Sequence, residues 1–280
     1  MLPSLCFSQH SLQRAPFYAP TPSQENASFV SFSCGKPLIS LSPEPHVLFL
    51  PTCHGTPYFL GYRDHKAVFV FSSDTPHTQG KHIDLRRIAH QLPPDEASLL
   101  GYAQSMLHWH KNTQFCAKCG SKLQQKNMDY HCASCQSALF PRVNPVVIIR
   151  IENNDKILLA RQPSFPKGMY SCIAGFVELG ETVEQCVVRE AYEEVGLNLH
   201  NIQYLGSQPW PYPAQLMLAF SAQSKCDQIR VDDQEIEDAQ WFSREALAAM
   251  CSFRHKKGFF IPSSVAIARS MIDDYCSLGK

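Results

Sequence analysis

Between Gly175 and Leu197 the chain gathers three glutamates, Glu190, Glu193 and Glu194, with Glu181 and Arg189 close by in sequence. Clustered carboxylates are natural ligands of hard divalent cations, and Mg2+ in particular takes one or two of them together with waters and substrate phosphates. A diphosphate is the substrate such a site suits. Thr182 followed three residues later by Gln185 is a capping-box signature, and Gly196 suits the position just past a helix end, so the spacing predicts a helix over Val183 to Val195. At about 100° per residue the three glutamates fall within an arc of about 100°. Val188, Ala191, Tyr192 and Val195 take the opposite arc, which is expected to pack on a core. Like charges on adjacent turns cost a few tenths of a kcal/mol per pair, so a cation is expected against the acidic face. Gly175 permits a close backbone turn over that face, and Arg189 is placed to orient a carboxylate by a two-point pair. An ordinary exposed acidic helix would need seven fixed positions to coincide by chance, on the order of one in 10⁸ per start site at about 6% usage per residue type.

A second chemical cluster lies upstream. Cys116-x2-Cys119 and Cys132-x2-Cys135 are separated by twelve residues, a zinc-ribbon spacing. Each Cys-x2-Cys can hold two thiolates on one knuckle, and two knuckles complete the closed tetrahedral set of a structural Zn2+ site. Such a set leaves no open position for substrate. A redox dithiol pair and a nucleic-acid-binding ribbon remain alternatives on spacing alone. The other cysteines, Cys6, Cys34, Cys53, Cys172, Cys186, Cys226, Cys251 and Cys276, have no regular spacing and are expected to be reduced, mostly buried thiols.

The elements that must position these groups follow from length and pattern. At 280 residues the chain exceeds one ordinary core. The expected division is a mostly β amino-terminal domain over 1–92, a connecting helix over 93–111, a zinc ribbon over 112–139 and a catalytic domain over 140–280. Val47 to Leu50, Tyr58 to Tyr62 and Ala67 to Phe71 read as strands, whereas proline and serine make the first four dozen residues look partly irregular. No internal repeat is evident. Pro94, Asp95 and Glu96 look like a first helical turn, continued by Leu99, Leu100, Ala103, Met106, Leu107 and His110. Trp109 and the histidines there are expected to pack rather than bind metal. Val146 to Ile151 and Lys156 to Ala160, joined through Asn153-Asn154-Asp155, read as a buried hairpin. Arg161 and Lys167 follow near the expected site, either to meet phosphates or as ordinary surface charges.

Beyond the glutamate helix, Ile202 to Gly206 reads as a strand, followed by Ser207-Gln208-Pro209-Trp210-Pro211-Tyr212-Pro213-Ala214-Gln215. Three alternating prolines predict an extended path with Gln208, Trp210 and Tyr212 projecting at intervals. A tryptophan on such a segment suits stacking on a base or nicotinamide ring, or capping a neighbouring subunit.

The charge is balanced, with 25 basic and 25 acidic residues, so there is no global attraction for nucleic acid or membrane; any RNA contact is local and no DNA partner is expected. No apolar run approaches the length of a membrane span. Met1 to Gln13 lacks the pattern of an export signal, and Ser277 to Lys280 carries no address or lipidation signal, so a cytoplasmic protein is expected.

Gly175 to Leu197 matches, position for position, the box of the Nudix hydrolases, with Ala191 where a larger aliphatic is usual. Together with the four cysteines, the Phe140-Pro141-Arg142-Val143-Asn144-Pro145 segment and Ser207 to Pro213, it resembles the NADH pyrophosphatase family, also called NAD-capped RNA hydrolases. The resemblance runs from about Leu92 to the C-terminus, with Tyr212 where the family usually has phenylalanine and Gln215 where it has serine. It implies an α/β/α sandwich that cleaves NAD(H) and NAD-capped RNA with Mg2+ or Mn2+, beside one structural Zn2+ per subunit. It further implies catalytic carboxylates at Glu190, Glu193 and Glu194, with metal contacts at Glu190, Glu194, Glu235 and the Ala174 carbonyl. Substrate contacts are implied at Phe140, Phe176, Gln208, Pro209, Trp210, Pro211, Tyr212, Pro213, Ala214, Gln215 and Ala268. A homodimer in which Trp210 reaches the partner's site is also implied. ADP-ribose, a diadenosine polyphosphate or another dinucleotide would be alternative substrates. A nucleotide-sensing zinc-ribbon protein is the alternative outside enzymes.

Overall fold

The computed structural model describes residues 2, 5–9, 11–13, 26–74, 77 and 79–277. The chain divides into two compact units, one of 1–6, 144–208 and 215–280 and the other of 7–143 and 209–214.

The amino-terminal unit begins with β1 (Ala27–Ser33), β2 (Lys36–Ser40), β3 (His46–Val47), β4 (Phe49–Leu50), β5 (Tyr58–Arg63), β6 (Lys66–Ser72) and β7 (Lys81–His82). These strands form one sheet. β1 lies at its middle, so the ordered part of the first four dozen residues includes β1 and β2, which the sequence does not single out as strands. The serines that obscured it in the sequence, Ser31 and Ser33, are buried in the strand. After a short helix, α1 (Leu85–Ile88), comes α2 (Pro94–Asn112), whose Pro94 opens the helix and whose first turn carries Asp95 and Glu96. His110 is buried, stacked 3.7 Å from the Tyr58 ring and hydrogen-bonded to the Tyr130 hydroxyl at 2.8 Å. Burial pushes its pKa down to about 4, and it packs as the sequence suggests. The cysteine segment folds on a three-stranded sheet of β8 (Gln124–Lys126), β9 (Asp129–His131) and β10 (Ala138–Leu139).

The second unit is built on β11 (Asn144–Asn153), β12 (Lys156–Arg161), β13 (Ile173–Phe176), β14 (Leu199–Trp210), β15 (Gln215–Ser224) and β16 (Asp238–Ser243). Its helices are α3 (Val183–Val195), α4 (Arg244–Cys251) and α5 (Ile267–Ser277). Alternation along β11 sets the layers, because successive side chains point to opposite faces. Val147, Ile149 and Ile151 join Cys186, Val187, Ala191 and Val195 of α3 in one core. On the other face Arg150, 3% exposed, donates to the Met271 carbonyl at 3.0 Å and to Asp274 at 2.7 Å, tying the strand to α5. A helix therefore covers each face of the sheet, giving an α/β/α sandwich.

The two units share a pairing plan. One edge of β11 is divided between β12 and β13, both antiparallel, while its other edge pairs parallel with β15. One edge of β1 is likewise divided between β2 and β4, antiparallel, and its other edge pairs parallel with β6. β12 then pairs antiparallel with β16, as β2 does with β7. The repeat lies in strand order rather than residue identity, which is why the sequence hides it. Residues 51–57 of the amino-terminal unit stand where residues 177–198 of the second carry α3. The duplicate therefore lacks the glutamate helix.

Candidate active site and metal centre

The glutamate helix forms where its caps dictate. The Thr182 side chain accepts from the Gln185 N–H, the Gln185 side chain accepts from the Thr182 N–H, and Gly196 closes the helix in the left-handed region at φ 70°. The observed bounds match the expected ones.

The faces differ from the expectation. Val188 and Tyr192 are 39% and 51% exposed, whereas Glu190 and Glu194 are only 8% and 3% exposed. The core-facing arc runs from Cys186 through Glu190 and Glu194 to Val195, so two carboxylates lie in its middle. They fit because β13 crosses over them at a glycine. A Cβ built on Gly175 would lie inside the Glu190 carboxyl group, so no larger residue leaves that carboxyl in place.

Arg189 is the clamp of this arrangement. Its Nε and one terminal nitrogen donate to the two oxygens of Glu181 at 2.8 and 2.9 Å. The other terminal nitrogen donates to Glu190 Oε1 at 2.8 Å and to Glu193 at 2.9 Å. A further bond at 2.9 Å goes to the Phe176 carbonyl, fixing the end of β13. The expected two-point pair thus forms with Glu181, whose pKa is drawn down to about 2 by those hydrogen bonds. Glu194 has no such partner. Burial, reinforced by Glu190, Glu235, Asp232 and Glu193, pushes it up to about 8, and its Oε2 is buried without a hydrogen bond. Burial also raises Glu190, against the pull of Arg189.

Glu235 is exposed on the loop before β16 and acts on both buried glutamates. Asp232, not singled out in the sequence, belongs with it: its N–H donates to the Glu194 carbonyl at 3.1 Å. Its only sequence signal is membership of the acidic run three residues before Glu235. Arg161 is a structural cation, 8% exposed, bound to Glu237 at 2.7 Å and to the Pro166 carbonyl at 3.1 Å. Lys167 is exposed. A recess of about 740 Å³ runs along the outer side of α3 past Val188 and Tyr192 and takes in Glu181 and Arg189, but not Glu190 or Glu194.

The residue types and charge balance fit a divalent cation. An unpartnered buried carboxylate oxygen, four more carboxylates acting on it and a raised pKa are what an absent positive charge leaves behind. Ala174, the residue before Gly175, pairs with Ile148 across β13 and β11. Phe176, one residue past Gly175, is 52% exposed, and in the other unit Phe140 is 58% exposed.

The segment after β14 departs from the predicted path. β14 stays extended through Trp210, and the chain then turns at 211–214 into β15. Prolines cannot donate to a ladder, so Pro211 and Pro213, directly after Trp210, end the strand instead of prolonging it, while Pro209 sits within its last residues. Gln208 does not project. It is fully buried, donating to the Cys6 and Val265 carbonyls at 2.7 and 2.9 Å and accepting from the Ile267 N–H at 2.8 Å. Ala268, next along α5, is buried as well. Trp210 is half-buried, edge-on to Phe7 and to Tyr212 with ring centroids 6.1 and 5.1 Å away, and the Arg86 guanidinium lies 4.1 Å over the Tyr212 ring. Pro213 is exposed at the turn, while Ala214 and Gln215 are half-buried.

The four cysteines converge. Cys116 and Cys135 sulfurs are 3.6 Å apart, Cys119 and Cys132 sulfurs 3.4 Å, and all four lie within 4.8 Å of one another. The knuckles are equivalent turns: Gly120 N–H donates to the Cys116 carbonyl at 2.8 Å, and Gln136 N–H to the Cys132 carbonyl at 2.9 Å. Four sulfurs at these distances suit tetrahedral Zn2+. Among the described residues no other three metal-ligating side chains approach this closely, so the glutamates are the looser set.

The sandwich and its clamped glutamate helix define a Nudix hydrolase. The NUDIX domain family matches residues 141–260, and the NADH pyrophosphatase-like rudimentary NUDIX domain family matches residues 22–109, in keeping with the repeated pairing plan. The chain is 39% identical over 224 residues to the NAD-capped RNA hydrolase NudC of Stutzerimonas stutzeri, covering 77% of this chain and 76% of that protein. It therefore belongs to the NAD-capped RNA hydrolase family of Nudix proteins. It is 43% identical over 183 residues to the NAD-capped RNA hydrolase NudC of Pseudomonas aeruginosa, over 65% of this chain and 62% of that one. Against the NAD-capped RNA hydrolase NUDT12 of Homo sapiens it is 41% identical over 194 residues, 65% of this chain and 42% of that one. The match thus spans less than two thirds of the Pseudomonas and human relatives. A NUDIX hydrolase structure from Nitrosomonas europaea overlays with a TM-score of 0.43 at 23% identity, covering 47% of this chain and 78% of that one. No helix among the described residues is long and apolar enough to cross a membrane, which says nothing of strands.

Proposed function

We propose that the chain hydrolyses the diphosphate bond of NAD(H) and of NAD-capped RNA 5′ ends, giving nicotinamide mononucleotide and either AMP or 5′-monophosphate RNA. The observation that carries this reading is the buried, unpartnered Glu194 carboxylate beside Glu190 on the glutamate helix, in a chain whose relatives are named NAD-capped RNA hydrolases. Glu190, Glu194, Glu235 and the Ala174 carbonyl would hold Mg2+ or Mn2+, both of which accept oxygen ligands. Bound there, the ion would supply neutralisation of charge on the diphosphate oxygens and a more acidic attacking water.

The chain's own residues do the rest. Arg189 holds Glu181, Glu190, Glu193 and the Phe176 carbonyl in one fixed frame, so the carboxylates do not rearrange as charge moves. The water oxygen bonds to one phosphorus as the bond from that phosphorus to the bridging oxygen breaks. The water proton passes to whichever of Glu193 and Glu194 keeps an oxygen free of the cation. The exposed Phe176 ring offers a stacking surface for a base or nicotinamide, and Phe140 is assigned the same kind of contact. The turn from Pro209 to Gln215, with Trp210 and Tyr212, and the backbone at Ala268 complete the substrate contacts in a homodimer, Trp210 serving the partner's site. Zn2+ on the four cysteines is structural.

Glu194→Gln tests the reading. The variant is expected to fold and to lose nearly all turnover of NADH, while near wild-type turnover would remove Glu194 from the mechanism.

A further inference from the structure

We infer that a basic loop of the catalytic unit, Arg254, Lys256 and Lys257 together with Lys167 on a neighbouring loop, is a contact surface for the phosphate backbone of an RNA body. The inference rests on the proposed activity toward capped RNA and names where the polymer beyond the cap would lie.

Balanced overall charge hides a local excess here. Residues 252–258 follow α4 and carry Arg254, His255, Lys256 and Lys257 with no acidic residue among them. Arg254, Lys256, Lys257 and Lys167 are all exposed, and among the described residues none has a carboxylate within ion-pair distance. By contrast Arg63, Arg150, Arg161, Arg189 and Arg269 each hold an acid. Unneutralised exposed cations grouped on one surface are the footprint of a polyanion.

The two loops are tied to each other. Phe260 N–H donates to the Gly168 carbonyl and Tyr170 N–H to the Phe260 carbonyl, both at 2.9 Å. Gly168 sits at φ 87°, and a Cβ there would lie 2.8 Å from the Gly258 carbonyl, so the approach requires glycine. Lys167 is thereby held beside the 256–258 stretch. Aromatic rings are interleaved with the cations, as in surfaces that track single-stranded nucleic acid. Phe253 is 77% exposed, and His255 stacks on Phe259 with ring centroids 4.9 Å apart. Phe259 packs on Tyr170 at 4.7 Å, and the Tyr170 hydroxyl bonds Asp238, three residues past Glu235. A continuous set of contacts therefore links the basic loop to the start of β16, three residues past Glu235.

The test is the affinity of the full-length, zinc-loaded protein for a 5′-NAD-capped RNA oligonucleotide without divalent cation, read by fluorescence anisotropy across a salt series. The triple variant R254Q/K256Q/K257Q is expected to bind about tenfold or more weakly at low salt and to lose about 2 from the log–log salt slope, at about 0.7 per phosphate contact on single strands. Its turnover of free NADH is expected to stay unchanged. As a comparator, K118Q/K122Q/K126Q neutralises three exposed lysines of the zinc ribbon. An unchanged slope in the first variant, or a loss confined to the second, overturns the inference. Binding without salt dependence in the wild type overturns it too. If wild type turns over neither NADH nor capped RNA, the proposed activity fails, a separate outcome from the slope.

Discussion

Gly175→Ala puts one methyl group where the Glu190 carboxyl now sits. The strand backbone needs no adjustment, since Gly175 is not among the residues with positive φ. The clash must therefore be relieved by Glu190, which swings out and loses its bond to Arg189. A hydrogen bond to a charged group is worth about 1.5 to 3 kcal/mol. Leaving burial returns part of this, because burial disfavours the ionised form of Glu190. The net change in stability is expected to stay near about 1 kcal/mol, a shift of about 2 to 4 °C in Tm for a domain of this size. Catalysis has no such offset. Losing one preorganised charge contact at a reacting phosphate costs about 2.7 to 4 kcal/mol, or about 10² to 10³ in kcat. Steady-state NADH turnover alongside a thermal melt reads both quantities. A Gly175→Ala protein with near wild-type turnover would refute the claim that Glu190 must occupy this place. A collapse of Tm by about 10 °C or more would refute the claim that the effect is confined to Glu190.

Other perturbations give different readouts. Glu194 has a folded pKa of about 8 against an ordinary value of 4.5, so the folded state holds that proton more tightly; its contribution is full below about pH 4.5 and lost as pH rises through about 8. Protein freed of Mg2+ and Mn2+ should lose Tm over that window more steeply than Glu194→Gln, and equal slopes would contradict the assignment. Divalent cation must displace the same proton, so its apparent affinity should weaken as pH falls from 8 to 6, measurable by titration calorimetry. Cys132→Ser should release zinc, detected by a colorimetric chelator; retention of a full equivalent would mean the four sulfurs are not its ligands. Arg150→Ala leaves the part-exposed Asp274 and Glu152 without their shared cation and removes a tie to α5, at a cost of about 2 kcal/mol in denaturant unfolding, and a loss under about 0.5 kcal/mol would show that this tie is not structural.

What the sequence made legible was local. The bounds of α3 follow from Thr182, Gln185 and Gly196, and the two cysteine knuckles from their spacing, because caps and knuckles are set by residues a few positions apart. The burial of Glu190 and Glu194 was not legible, since a helix pattern assigns acids to solvent and only the strand crossing at Gly175 places two of them inside. Arg161 shows the reverse, a cation next to the site in sequence whose partners, Glu237 and the Pro166 carbonyl, make it a brace. Alternation carried across prolines predicts a projecting Gln208; its amide instead ties β14 to two backbone segments distant in sequence, at Cys6 and at 265–267. The amino-terminal duplicate is invisible in residue patterns because strand order is what it repeats.

The most direct test of the central claim is to incubate the purified protein with 5′-NAD-capped RNA and with free NADH in parallel, adding Mg2+ or Mn2+, and to identify the products by mass. Cleavage within the diphosphate, giving nicotinamide mononucleotide with 5′-monophosphate RNA or with AMP, is the predicted result. Release of no nicotinamide mononucleotide from either substrate, under conditions where another dinucleotide is cleaved, would contradict it.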